Sequence, residues 1–213
     1  MMNNRTQSNR LPVNKKQKCA VIAPPVLLIT TVPLFRMLSK IMDPTVGWYS
    51  GLALYWLIWC GLFPLWLVGK KPLCRITRPR KPERSTLFFL IIPIVGSFSY
   101  KLISGMDYSR PDIGSFLLII STAFGNGFFE EVLWRGAYMN LFPNNLFFRI
   151  FWPSLWFAFW HYAPGSVSPN TNIAALMIGS GIFGFYLSFL AKQANTIWWC
   201  IVAHTIGGII MII

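Results

Sequence analysis

Seven runs of predominantly apolar residues follow one another along this chain, over residues 19–41, 47–69, 85–104, 113–142, 145–163, 172–191 and 195–213. A helix needs about 20 such residues to cross the hydrocarbon of a bilayer, and in lipid every backbone polar group must find its partner within the protein. None of the runs shows the strict alternation of a barrel strand. The sequence therefore predicts an all-α, polytopic transmembrane helical bundle of about seven spans. Composition agrees: 54% of the 213 residues are hydrophobic and only 12% are charged, against roughly 25% charged in a soluble domain. Pro24, Pro25 and Pro33 weaken the first helix, because proline removes a helical donor.

The net charge of +13 raises nucleic acid as a partner, but its distribution excludes it. Arg5, Arg10, Lys15, Lys16 and Lys18 precede the first span, and Lys70, Lys71, Arg75, Arg78, Arg80, Lys81 and Arg84 fill the connection between the second and third. Short basic loops flanking spans are cytoplasmic. The opposite connections hold only Arg36, Lys40, Lys101 and Arg110. The chain reads as a multi-pass protein of the plasma membrane with a cytoplasmic N-terminus and an external C-terminus. Its basic loops lie where they can touch anionic lipid. No aromatic platform or binding motif accompanies the charge.

Residues 1–18 form a basic, disordered tail in this reading, and 19–213 form the membrane-embedded bundle. The apolar segment after the tail ends at Arg36 and Lys40 without a small-residue cleavage site, so it is a retained anchor. Cys19, Cys60, Cys74 and Cys200 have no paired spacing and provide neither a disulfide framework nor a metal framework.

The chemistry lies in the ionisable residues that the apolar runs enclose. Of six acids, Asp43, Glu83, Asp107 and Asp112 sit in or beside connections, while Glu130 and Glu131 are adjacent inside an apolar block. Both histidines, His161 and His204, also lie in apolar blocks. A charge at the bilayer centre costs about 2.5–3.5 kcal/mol on insertion scales, so such groups mark functional sites. Arg135 lies four residues after Glu131 and shares its helical face. Glu130 points about 100° away and must find a partner on another helix.

Depth allows these groups to meet. Pro143-Asn144-Asn145 is a turn signal. Counted at 1.5 Å per residue, Glu130 lies roughly 20 Å before that turn, His161 roughly 24 Å after it, and His204 roughly 14 Å from Asn195. Three helices can therefore place them around one polar site. The set suits water activation, with a carboxylate as general base and an imidazole to steady an oxyanion or protonate a leaving amine. The same atoms can bind zinc, but there is no His-Glu-x-x-His and no cysteine pair. The sequence therefore calls for no cofactor, with zinc left open. A structural polar network that fixes helix packing is the plainer alternative.

At these residues the sequence resembles the CPBP family, the CAAX proteases and bacteriocin-processing enzymes formerly grouped as Abi proteins. The first motif reads Glu130-Glu131-Val132-Leu133-Trp134-Arg135-Gly136, the second runs from Phe157 to His161, and the third begins at His204. The resemblance covers residues 113–213. It implies an intramembrane endopeptidase acting on peptide or protein substrates at the membrane, possibilities being prenylated proteins and leader peptides. It also implies that Glu130 activates water, that Glu131, His161 and His204 assist, that Arg135 orients the glutamates, and that Phe157 packs the site. One position departs: Gly208 stands where the family usually has Asn. Asn126, one turn before Glu130, is a candidate substitute donor, an interhelical hydrogen bond being its other reading. Ser180 and Gly184 read as close helix packing. Two other functions remain open at this stage. One is a non-catalytic bacteriocin-immunity or membrane scaffold protein. The other is a proton-coupled transporter using the glutamates and histidines as a relay.

Overall fold

The computed structural model describes residues 14–104, 112–169 and 171–212. Among these the chain is helical and contains no strand. The helices are α1 (Lys15–Ile41), α2 (Pro44–Val68), α3 (Lys70–Ile76), α4 (Arg84–Ser104), α5 (Ile113–Leu141), α6 (147–160), α7 (Tyr162–Gly165), α8 (Ile173–Ala194) and α9 (Trp198–Ile212).

The all-α membrane architecture is as the sequence predicts, and the count of seven spans is not confirmed among the described residues. Among the described residues four helices, α1, α2, α5 and α8, are long and apolar enough to cross a bilayer. The apolar stretches in α4 and α9 are shorter, Arg84–Ser99 and Trp198–Ile210. The segment expected at 145–163 is interrupted: α6 ends at Trp160, His161 is a turn, and α7 adds only four residues.

Residues 1–13 of the expected tail, together with Asp107 and Arg110, lie outside the described residues. Lys15–Lys18, also assigned to the tail, already belong to α1. Asn14 starts that helix with a capping box: its side chain accepts from the Gln17 amide at 2.8 Å, and Gln17 Oε1 accepts from the Asn14 amide at 3.2 Å. The three prolines do not interrupt α1. Neighbouring helices and local side chains can re-satisfy freed backbone groups in a membrane bundle.

α5 is the central element. Val132 to Ala137 are all buried, so this stretch of the helix is enclosed on every side, as a core segment must be. Asp112 caps it, accepting from the Gly114 and Ser115 amides at 2.8 and 3.1 Å. Pro143 and Asn144 make the turn into α6. α5 packs against α2, α6 and α9, while α8 covers α6. The outer surface remains apolar: Ile22, Ile29, Leu57, Phe88, Phe98, Leu117, Ile178 and Ile182 are all exposed. That is the expected exterior of a bundle bathed in lipid.

Candidate functional site

The site is built on a widened part of α5. From Asn126 to Glu130 and from Val132 to Ala137 the backbone adopts the π-helical i→i+5 pattern, which is rare and frequent at functional sites. It also occurs at Phe147–Phe151, which carries none of the predicted site residues, so it does not mark the site alone.

Glu131 and Arg135 meet as their spacing requires. Arg135 Nη1 donates to Glu131 Oε1 at 2.9 Å, and both side chains are fully buried. A buried guanidinium needs its other donors satisfied as well. Nη2 donates to the Gly184 carbonyl at 2.7 Å and Nε to Ser188 Oγ at 3.3 Å. The guanidinium carbon lies 4.6 Å from the centre of the Phe157 ring. Gly184 makes this possible, since a Cβ there would sit 2.7 Å from Phe157 Cδ1 and 3.0 Å from Arg135 Nη2.

Glu130 is 2% exposed and finds its partners on α6 and α9. Its Oε1 accepts from the Trp160 indole N–H at 2.9 Å. Its Oε2 accepts no hydrogen bond from the described residues and lies 3.6 Å from His204 Nε2. The other ring nitrogen of His204, Nδ1, is 2.8 Å from Glu131 Oε1. Because a carboxylate cannot donate, Nδ1 carries the proton in that contact. Adjacent residues on a helix diverge by about 100°, and one imidazole from another helix spans the divergence. Phe183 and Phe157 meet the His204 ring edge-on, at 5.3 and 6.0 Å.

The indole of Trp160 is itself fixed. It stacks on Tyr55 at 3.6 Å between ring centres, and Phe35 meets it edge-on at 5.9 Å. Tyr55 Oη in turn accepts from Trp134 Nε1 at 2.9 Å. Side chains of α1, α2 and α5 therefore hold the donor that orients Glu130.

His161 is near this cluster without joining its hydrogen bonds. Its Nδ1 lies 2.7 Å from the Phe157 carbonyl, so Nδ1 is the protonated nitrogen and Nε2 keeps a lone pair. Its ring touches Phe157 at 4.6 Å, and neither ring nitrogen is hydrogen-bonded to a glutamate. Asn126 turns toward α2, where its Oδ1 accepts from Trp56 Nε1 at 3.1 Å. Gly208 faces Ala123, whose Cβ would be 3.3 Å from one built at position 208. Cys200, one turn from His204, is buried with Sγ donating to the Leu187 carbonyl at 3.2 Å. Among the described residues no three His, Cys, Asp or Glu side chains are arranged to hold a metal.

Trp160, Gly184 and Ser188 are the neighbours that sequence reasoning did not assign to the site. Trp160 is one of ten tryptophans, and nothing in its aromatic run singles it out. Gly184 was legible as a point of close packing, but not as the acceptor for Arg135.

No curated protein and no solved structure matches the chain. The model of one family does, described as Type II CAAX prenyl endopeptidase Rce1-like, over residues 112–210. The match begins at the cap of α5, ends within α9, and includes all three motifs with Glu130, Glu131, Arg135, Phe157, His161 and His204. Over these residues, just under half of the chain, the match to the Rce1-like type II CAAX prenyl endopeptidases is consistent with the wider group of CAAX proteases that the motifs resemble.

Proposed function

We propose that this protein is an intramembrane endopeptidase that cleaves peptide bonds with water activated at Glu130. The observation that carries this reading is the arrangement of one carboxylate. Trp160 holds Oε1, while Oε2 is buried, unpartnered and 3.6 Å from His204 Nε2. That separation is long for a direct hydrogen bond, and a reacting water would have to enter beside these two atoms to bridge them. Buried polar atoms without a protein partner call for such an explanation.

The chemistry follows from the charges. Arg135 neutralises Glu131, so the exchangeable proton that balances the second carboxylate lies on the Glu130–His204 side. With that proton on His204 Nε2, Glu130 takes a proton from water as the water oxygen bonds to the substrate carbonyl carbon. The imidazolium N–H faces the developing oxyanion. Glu130 then passes its proton to the leaving nitrogen as the C–N bond breaks, giving a carboxylic acid and an amine. General-base participation of this kind contributes about 100- to 10,000-fold. Glu131 and Arg135 orient His204. His161, with Nε2 free, assists from the substrate side of Phe157.

The family's description suggests a prenylated protein or peptide as the substrate class. Basic-residue asymmetry supports a cytoplasmic N-terminus; the plasma membrane is the location proposed. The test is cleavage of a peptide library, prenylated and unprenylated, by purified wild type beside Glu130→Gln. Loss of turnover in a well-folded variant supports the reading, and undiminished turnover ends it.

Gly208 favours a second reading, a non-catalytic relative that keeps the polar cluster for binding, as an immunity or scaffold protein would. Absence of cleavage by wild type across the library, together with binding of a library peptide, would favour it.

A further inference from the structure

The feature that the proposed chemistry leaves unused is a basic ledge at one end of the bundle. Lys70, Lys71, Arg75, Arg78, Arg80, Lys81 and Arg84 fall within residues 70–84 with one acid, Glu83, and all seven cations are exposed. None of their side chains makes an ion pair or hydrogen bond among the described residues. Lys15, Lys16 and Lys18 are exposed at the same end, where Lys16 Nζ donates to the Trp66 carbonyl at 3.1 Å.

This ledge is held in place. Leu73 and Ile76 anchor it in the core. Thr196 Oγ1 lies 2.7 Å from the Ile76 carbonyl and 2.9 Å from the Arg78 carbonyl. The Ile197 amide donates to Ile76 O at 2.9 Å, and Trp199 Nε1 donates to Arg80 O at 3.1 Å. The cations are therefore displayed from a backbone clamped to the start of α9, the helix that carries His204.

Its depth identifies the ligand. Trp66, exposed on α2, stands four residues before Lys70, and exposed Leu87 stands three after Arg84. Arg84 and Leu87 lie on one helix and at 1.5 Å per residue are offset by about 5 Å, while Trp66 is separated from Lys70 by the helix break at Gly69. Cations that close to lipid-facing residues lie in the headgroup layer, with Trp66 and Trp199 at the level tryptophans favour. An anionic headgroup there needs no access path, and each Lys or Arg near such a surface contributes about 1 kcal/mol of attraction.

We propose that residues 70–84 form a binding surface for the phosphate groups of anionic phospholipids, which secures the ledge and the start of α9 together. The inference does not depend on catalysis. The experiment is thermal unfolding of the detergent-purified protein with phosphatidylglycerol, phosphatidylcholine or inorganic phosphate added. Phosphatidylglycerol is expected to raise Tm by at least about 2 °C more than phosphatidylcholine. The combined variant Arg75→Gln, Arg78→Gln, Arg80→Gln is expected to lose most of that rise, and Arg36→Gln with Lys40→Gln, at the opposite end, to keep it. High salt is expected to shrink the wild-type rise, a readout that needs no variant to fold. Equal effects of the two lipids, a rise retained by the triple variant, or a rise insensitive to salt would each overturn the proposal. An equal rise with inorganic phosphate would overturn the lipid as its source.

Discussion

The indole N–H of Trp160 donates to Glu130 Oε1 across 2.9 Å, and among the described residues it is the one hydrogen bond that this carboxylate receives. Glu131, its neighbour, has a guanidinium and an imidazole. Two adjacent carboxylates therefore stand in different surroundings: Glu131 is paired on Oε1 with the Arg135 guanidinium and the His204 imidazole, Glu130 on Oε1 with an indole alone, and the Oε2 of each lacks a hydrogen-bond partner among the described residues. Such a difference separates a supporting acid from a reacting one.

Trp160→Phe keeps the ring that stacks on Tyr55 and removes the donor. A hydrogen bond to a charged group contributes about 1.5–3 kcal/mol, so kcat is expected to fall by roughly 10- to 100-fold with KM nearly unchanged. Tyr55→Phe, which retains the stack, is the control and should lower Tm more than kcat. Steady-state cleavage kinetics with thermal unfolding of both variants make the comparison. An unchanged kcat in folded Trp160→Phe would remove the indole from the mechanism.

The two glutamates should fail differently. Glu130→Gln is expected to fold normally and lose at least about 100-fold in turnover. Glu131→Gln leaves the buried guanidinium of Arg135 without its carboxylate, an insult of about 3–5 kcal/mol when buried pairs are broken. Its main readout is therefore a lowered Tm and yield. Cys200→Ser should change turnover little, since Sγ points to the Leu187 carbonyl. Complete loss of activity in folded Cys200→Ser would instead point to a thiol nucleophile.

Gly127 sits where α5 meets α9. A Cβ there would collide with the Thr205 hydroxyl and lie 3.0 Å from the Thr205 amide nitrogen and 3.1 Å from the Ile201 carbonyl. Gly127→Ala must push apart the helices that carry Glu130 and His204, so a loss of about 1–3 kcal/mol is expected, with turnover falling as well. Gly96→Ala, where nothing lies within 4 Å, should leave Tm unchanged or slightly raised. Thermal unfolding of the pair checks this; equal Tm values would show that the α5–α9 contact yields easily.

Membrane orientation is open to labelling. In a background with the native cysteines replaced, Arg78→Cys should react with an impermeant maleimide only after the membrane is opened, because the basic ledge is expected on the cytoplasmic side. Labelling of intact cells at this position would reverse the topology.

Much of this architecture was legible in the sequence because lipid leaves a chain few options. Apolar runs of about 20 residues must be helices there, and α1, α2, α5 and α8 fall where those runs predict. The break at His161 was not legible, since hydropathy averages over a window and does not register where a helix turns. In the site, the Glu131–Arg135 pair followed from i,i+4 spacing alone. That Glu130 needed a partner on another helix also followed, from the angle between successive residues.

Which partner Glu130 takes was decided only by tertiary structure. Trp160 reaches it because Tyr55 and Phe35 fix the indole plane from two other helices. Arg135 reaches the Gly184 carbonyl because α8 approaches at the one position where a Cβ would obstruct it. His161 hydrogen-bonds its own turn while His204 spans both carboxylates, although sequence gave the two histidines similar depths. Spacing along one helix fixes which residues share its face. The rotation and separation of neighbouring helices, set by packing among residues far apart in the chain, fix which of those faces meet.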